Sequence, residues 1–182
     1  MRTAIVTGSS SGIGEALALD LARWGWRVFG FDLTATDSPM TSSDLAGFGG
    51  SVEPMIVDVT DRHAVEAAVA HALEVTGGTR DAVVANAGIR AAGAFEETPA
   101  VDLKRLFDVN LGGAMHLTRA ALPALRSTPD SRIVIVSSAG GLSALPGLAA
   151  YCGSKWALEG WAESLAHELF PQGVGVSVVE PA

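Results

Sequence analysis

A run of β-branched and apolar residues, Thr3-Ala4-Ile5-Val6-Thr7, passes directly into Gly8-Ser9-Ser10-Ser11-Gly12-Ile13-Gly14 and then into alanine- and leucine-rich chain. A strand that turns through glycines into a helix has few uses. This one fits G-x-S-x-G, the turn that presents a nucleophilic serine, here Ser10, and it also fits a glycine turn that cradles the phosphates of a dinucleotide. Local context does not separate the two, because both need a strand before and a helix after. Position does. A nucleophile elbow draws part of its oxyanion hole from an earlier strand–helix loop, and only one strand precedes Ser10. The phosphate turn belongs after the first strand, with an acidic residue about 20 residues on at the end of the second. Asp32, closing Val28-Phe29-Gly30-Phe31, is that residue. Gly8 and Gly12 admit backbone angles closed to other residues, Gly14 lets helix and strand approach closely, and the amides of a helix N-terminus face an anionic ligand.

The rest of the chain repeats the alternation. Short β-branched runs at Thr3 to Thr7, Arg27 to Asp32, Val52 to Asp58, Asp81 to Asn86, Arg132 to Ser137 and Gly175 to Val179 predict six strands. Helical stretches lie between them at Gly12 to Trp24, Asp61 to Val75, Asp102 to Leu125 and Ala149 to Phe170. Strand, crossover helix, strand is the pattern of a parallel sheet covered on both faces, an α/β fold. Thr34 to Gly50, rich in Ser, Thr, Asp and Gly, has no period and reads as loop. With 182 residues and no linker or internal repeat, residues 1–182 are expected to form one domain.

Charge narrows the partners. The formal net charge is −8, which repels nucleic acid and anionic lipid surfaces alike. No run approaches the ~18 apolar residues of a membrane span. Cys152, the single cysteine, has no internal disulfide partner, and no basic-then-apolar leader precedes Ala4-Ile5-Val6, so a cytoplasmic protein is expected. His63, His71, His116 and His167 show no metal-ligand spacing and read as helix-surface residues, and no metal site is expected. Trp24, Trp26, Trp156 and Trp161 read as core or subunit contacts.

Thr7-Gly8-x-x-x-Gly12-Ile13-Gly14, Asn86-Ala87-Gly88 after the fourth strand, Ser138 after the fifth and Tyr151-x-x-x-Lys155 thirteen residues later appear in that order, with Asp58-Val59 and Val109-Asn110 between them. Together they resemble the short-chain dehydrogenase/reductase family along the whole chain. The resemblance implies a Rossmann-type doubly wound sheet in the order 3-2-1-4-5-6 and a nicotinamide cofactor. Cofactor contacts would come from Gly8, Ser10, Ser11, Gly12, Ile13, Gly14, Asp32, Asp58, Val59, Asn86, Ala87, Gly88, Tyr151, Lys155 and Pro181. Catalytic roles fall to Ser138, Tyr151, Lys155 and Asn110, the last of which in the family positions the lysine through a water. Each motif has a plainer reading: Ser138 as a turn or helix-capping serine, Ser137 the more so, Asn86 as a turn residue, Asn110 as a helix kink, and Asp58 as a strand-end cap.

The chemistry follows from the residue types. Hydride exchange with a carbonyl carbon needs a proton donor at the carbonyl oxygen that serves as base in reverse, and Tyr151 can be both. A free tyrosine titrates near pH ~10, so a cation must stabilise the phenolate. Lys155, four residues on, shares its helical face. Ser138 would hydrogen-bond the substrate oxygen, a positioning role rather than a nucleophilic one.

An acid at the end of the second strand accepts from the ribose hydroxyls and repels a 2′-phosphate, and no basic residue stands between Leu33 and Ser51. NAD is therefore expected over NADP. Leu142, Leu145, Pro146, Gly147 and Ile89 to Phe95 would give a mostly apolar pocket with Arg90 as the one charge near it, suiting a small-molecule secondary alcohol or ketone. The family continues past the sixth strand into a substrate loop and a last strand, whereas this sequence stops at Glu180-Pro181-Ala182, with alanine where the family's glycine usually is. The alternative expectation is thus a truncated, non-catalytic dinucleotide-binding module. In the family the helices Asp102 to Leu125 and Ala149 to Phe170 pack on a second subunit, implying a homodimer or homotetramer.

Overall fold

The computed structural model describes residues 1–34, 47–78 and 81–182. Six strands, β1 (Thr3–Thr7), β2 (Arg27–Asp32), β3 (Ser51–Ile56), β4 (Ala82–Ala85), β5 (Arg132–Val136) and β6 (Gly175–Val179), form one sheet in the order β3-β2-β1-β4-β5-β6. Every neighbouring pair is parallel, so each connection crosses over through a helix or loop. The chain changes direction across the sheet between β1 and β4, and a crevice opens there at the carboxyl ends of the strands.

The helices are α1 (Gly12–Arg23), α2 (Arg62–Val75), α3 (Ala100–Phe107), α4 (Gly113–Ser127) and α5 (Ala149–Leu169). Alternation along β1 sorts the core: Ile5 points to one face with Phe29, Val83, Ile133 and Ile135, while Ala4 and Val6 point to the other with Val28, Val84 and Val136. The first face is covered by apolar stripes of α2, α4 and α5, among them Val65, Leu117, Leu125, Leu158 and Leu169. Ala18 and Leu21 of α1 cover the second. β1 and β4 are buried along their whole length, as central strands of a sheet covered on both faces are. β3 is an edge strand and carries Pro54, which an edge tolerates because it lacks a donor.

The expected fold is therefore present, with local corrections. β3 ends at Ile56 rather than Asp58: the Val57 N–H donates the last bond of the ladder to the Asp32 carbonyl at 2.7 Å, and Asp58 then folds into a turn with Thr60. β4 runs from Ala82 to Ala85 rather than Asp81 to Asn86: the Asn86 N–H donates to the Thr7 hydroxyl instead of the ladder. The helix expected from Asp102 to Leu125 starts at Ala100 and is broken by a π-turn, Asp108–Gly112, between α3 and α4. Trp26 and Trp161 pack against the core, but Trp24 and Trp156 are exposed, 74% and 52% respectively. Of the loop expected from Thr34 to Gly50, residues 35–46 lie outside the described residues. Among the described residues no helix is long and apolar enough to cross a membrane.

Candidate active site

Gly8 and Gly12 adopt left-handed angles, φ +66° and +57°, and let β1 turn sharply into α1. A Cβ on Gly8 would stand 2.8 Å from the Asn86 Nδ2, and one on Gly14 only 2.1 Å from the Gly8 carbonyl oxygen. Gly14 thus packs α1 against the turn, whereas Gly8, Ser11 and Ile13 line the cavity beyond it. Gly12 and Ser10 line neither cavity. Ser10 instead fastens the turn to β2, its N–H donating to Asp32 Oδ2 at 2.9 Å and its hydroxyl to the Thr34 carbonyl at 3.0 Å.

Asp32 Oδ1 also accepts from the Leu33 N–H at 2.7 Å. Each carboxylate oxygen keeps a further lone pair, and the side chain lines the cavity, so a ribose hydroxyl can still be accepted there. Asp58 Oδ1 accepts from the N–H and hydroxyl of Thr60. The cap of α2 is Asp61, which accepts from His63 and Ala64. Asp58 and Val59 line the same cavity opposite Val109. Asn86 bridges the two central strands, its Nδ2 donating to the carbonyls of Thr7 and Gly8. Thr7 completes the clasp, because its hydroxyl oxygen accepts from the N–H groups of Asn86 and Ala87 and donates its proton to the Val84 carbonyl.

At the other end of the crevice stand β5 and α5. Lys155 is 4% exposed, and its Nζ donates to the Val136 carbonyl at 2.9 Å. The same Nζ lies 5.9 Å from the centre of the Tyr151 ring, one helical turn back. Burial pushes the ammonium down from 10.5 to about 8, opposed by the charge of Glu159. Ser138 Oγ accepts from the Gly140 N–H at 3.1 Å, capping the short turn Ala139–Gly141 and leaving its own proton free to be donated. That serine both caps the turn and lines the cavity with Tyr151 and Lys155. Ser137, in contrast, caps nothing.

Asn110 is 1% exposed within the π-turn, whose extra residue carries its side chain to the loop after β4. Oδ1 accepts from the Ile89 N–H at 2.8 Å, and Nδ2 donates to the Ile89 carbonyl and to the Ser154 hydroxyl, both at 3.0 Å. Ser154 in turn donates to the Tyr151 carbonyl at 2.7 Å. Asn110 makes no direct hydrogen bond to Lys155 among the described residues; it reaches α5 through Ser154. Sequence reasoning missed Ser154, Thr7 and the Val136 carbonyl. Thr7 stands in the glycine motif with its bonding role unread, and Ser154 lies three residues after Tyr151 on the helix.

Two adjoining cavities result. One, about 350 Å³, runs from Gly8 past Asp32 and Asp58 to Ile89. The other, about 280 Å³, holds Ser138, Tyr151, Lys155 and Pro181, and shares Ile13, Asn86, Gly88 and Ile89 with the first. Ala87 lines the first cavity alone. An elongated ligand can therefore pass from the glycine turn to the phenol without leaving the crevice.

The model of the short chain dehydrogenase family matches residues 2–182. A probable oxidoreductase, EphD, of Mycobacterium tuberculosis is 40% identical over 178 residues, 97% of this chain and 30% of its own length. Oxidoreductase UcpA of Salmonella typhimurium is 37% identical over 99% of this chain and 68% of its own. A crystallised short-chain dehydrogenase from Streptomyces avermitilis superimposes with a TM-score of 0.87 at 36% identity, covering the whole of this chain and 65% of that one. A short chain dehydrogenase/reductase from Burkholderia phymatum, solved in complex with NAD, gives 0.89 at 31% identity with the same coverage. The chain thus spans under a third of the mycobacterial relative and about two thirds of the others.

Proposed function

The chain belongs to the short-chain dehydrogenase family, and on that premise we propose that it is an NAD(H)-dependent oxidoreductase acting between a secondary alcohol and a ketone, with Tyr151 as acid and base. The observation that carries the reading is the continuity of the two cavities, with Tyr151, Lys155 and Ser138 lining one end and a positive-φ glycine turn the other. The residues fit a dinucleotide: Gly8 has no room for a Cβ beside Asn86, and Ser11 and Ile13 lie at the N-terminus of α1, where amides favour phosphate. Asp32 supports NAD over NADP by its unneutralised carboxylate at the ribose end, in keeping with the Burkholderia structure's ligand.

The nicotinamide, when bound, supplies or receives the hydride. The remaining work belongs to the chain. Ser138 donates its free proton to the substrate oxygen and holds it toward Tyr151. Tyr151 gives its phenolic proton to that oxygen in reduction and takes it back in oxidation. Lys155 steadies the phenolate with a buried positive charge, one helical turn from the ring. Asn110 and Ser154 fix the first turn of α5, and with it the phenol, against the loop after β4.

The residues read as substrate walls are Ile89 to Phe95 and Leu142 to Gly147, of which Ile89 to Ala94 line a further cavity of about 520 Å³ that also carries Glu97, Asp102 and Arg105, and an apolar small molecule is the substrate class proposed. The face of α4 and α5, where Met115, Leu122, Trp161 and Leu165 line a groove of about 370 Å³, is where a second copy would pack to form a homodimer or homotetramer. The test is a panel of alcohols and ketones followed at 340 nm with NAD(H) and NADP(H). Turnover that Tyr151→Phe abolishes, with NADH binding intact, supports the reading. NADH binding without turnover by the unsubstituted chain would favour a non-catalytic module, and absence of binding would overturn both.

A further inference from the structure

Beside the reaction cavity lie two buried oxygens that nothing described so far employs. Glu159 Oε1 and Ser137 Oγ are each shut off from solvent without a hydrogen-bond partner among the described residues. They converge on one point. A Cβ built on Gly141 would stand 2.7 Å from Ser137 Oγ and 2.9 Å from Glu159 Oε1, so only a glycine leaves them the space they share. A buried polar atom left unpaired costs about 1–3 kcal/mol, and the two are chemically complementary, a hydroxyl with a proton to give and a carboxylate that only accepts. Ser137 is the neighbour of Ser138, and Glu159 lies one turn beyond Lys155, so Tyr151, Lys155 and Glu159 follow one another along one stripe of α5 at intervals of four residues.

We infer that Glu159 is a positioning residue for the reaction: steered by the Ser137 hydroxyl, its carboxylate holds Lys155 in the charged form beside Tyr151. This rests on the dinucleotide reading of the crevice for its bearing on catalysis, but not for the coupling itself. Lys155 needs such support, because its burial favours the neutral amine and Glu159 is the charge that opposes it. Among the described residues the charged or titratable side chains that line the cavity with Lys155 are Tyr151 on the same helix and Arg90 across it. β5 and the π-turn present only neutral groups there, the Val136 carbonyl, Ser138 and Asn110. Without Glu159 the ammonium would lose its proton closer to neutrality, and the phenolate its counter-charge.

The chain has only two lysines, Lys104 and Lys155, so the ε-methylene NMR signals of Lys155 can be followed through a pH titration without cofactor. Glu159→Gln, which keeps an oxygen for Ser137 and removes the charge, should lower the Lys155 midpoint by about half a pH unit or more, and Glu159→Asp should restore most of it. Ser137→Ala should give a smaller fall in the same direction. NADH affinity, read from tryptophan fluorescence, should be equal for the parent and Glu159→Gln at pH 6 and about twofold or more weaker for the variant at pH 8. An unmoved Lys155 midpoint in Glu159→Gln overturns the inference, whatever NADH does. A uniform loss of affinity at every pH would reduce Glu159 to packing and overturn it equally. A parent that binds no NADH while the midpoint moves leaves the Glu159–Lys155 coupling standing and removes its role in a reaction, which is the failure of the dinucleotide reading instead.

Discussion

The two ends of the crevice are built on opposite plans. At the glycine turn the polar side chains are bonded to backbone: Asp32 to Ser10 and Leu33, Asn86 to Thr7 and Gly8, and Asp58 to Thr60. At β5 and α5 side chains also meet backbone, Lys155 at Val136 and Ser138 at Gly140, but bonding capacity is left to spare. Tyr151 has no hydroxyl partner among the described residues, Ser138 keeps its proton, and Lys155 carries a charge that burial disfavours. A site that recognises an unchanging ligand gains from donors and acceptors fixed in advance. Under the proposed function protons move at the other end, where groups must be able to change their bonding during the reaction.

Five substitutions test that contrast. Tyr151→Phe removes one oxygen from the uncommitted end. Turnover should fall by about three orders of magnitude or more, with NADH affinity and melting temperature unchanged, measured by steady-state kinetics and calorimetry. Gly14→Ala attacks the rigid end, driving a methyl group against the Gly8 carbonyl, and should destabilise the fold by about 4 kcal/mol or more in urea unfolding. A milder loss would show that the turn yields more than its hydrogen bonds suggest. Lys155→Met should separate the two plans most directly. It should abolish most turnover yet stabilise the fold at pH 7, because placing the ammonium here costs about 3 kcal/mol by its fall from 10.5 to about 8, less the lost bond to Val136. Between those pH values the folded parent binds fewer protons than the unfolded chain, so its stability rises with pH. The variant's advantage should therefore be full below pH 8 and gone by about pH 10.5.

Two smaller effects sharpen the picture. Asn110→Ala, which strands the amide and carbonyl of Ile89 and the Ser154 hydroxyl, should cost about 2 kcal/mol of stability by denaturant titration. Asp32→Ala should raise NADPH affinity relative to NADH by about tenfold in fluorescence titrations, the least of the five, since the carboxylate's backbone bonds hold the turn as well as any ribose.

Much of this was legible in the residues. Strands β1, β2 and β6 begin and end where β-branched runs do, and Tyr151, Lys155 and Ser138 line one cavity as their spacing and the family resemblance implied. The rest depended on contacts between segments far apart in the chain. Nothing around Thr7 says that its hydroxyl will serve residues almost eighty positions away. Asp58 and Asn86 look like strand ends until their side chains and amides are seen to bond elsewhere. The approach of Ser137 and Glu159 to the space beside Gly141 is visible only through a glycine with no Cβ.

The π-turn at Asp108–Gly112 has a further consequence. An α-helix advances about 100° per residue, so one residue more or fewer reorients everything downstream. Deleting Leu111 would let α3 and α4 join as one regular rod, and either half would then have to rotate. Asn110 and the apolar stripe carrying Leu117, Ala121 and Leu125 cannot both keep their present bearings under that change. The insertion works as a phase adjuster, aiming one amide at Ile89 and Ser154 while the remainder of the rod stays docked on the sheet.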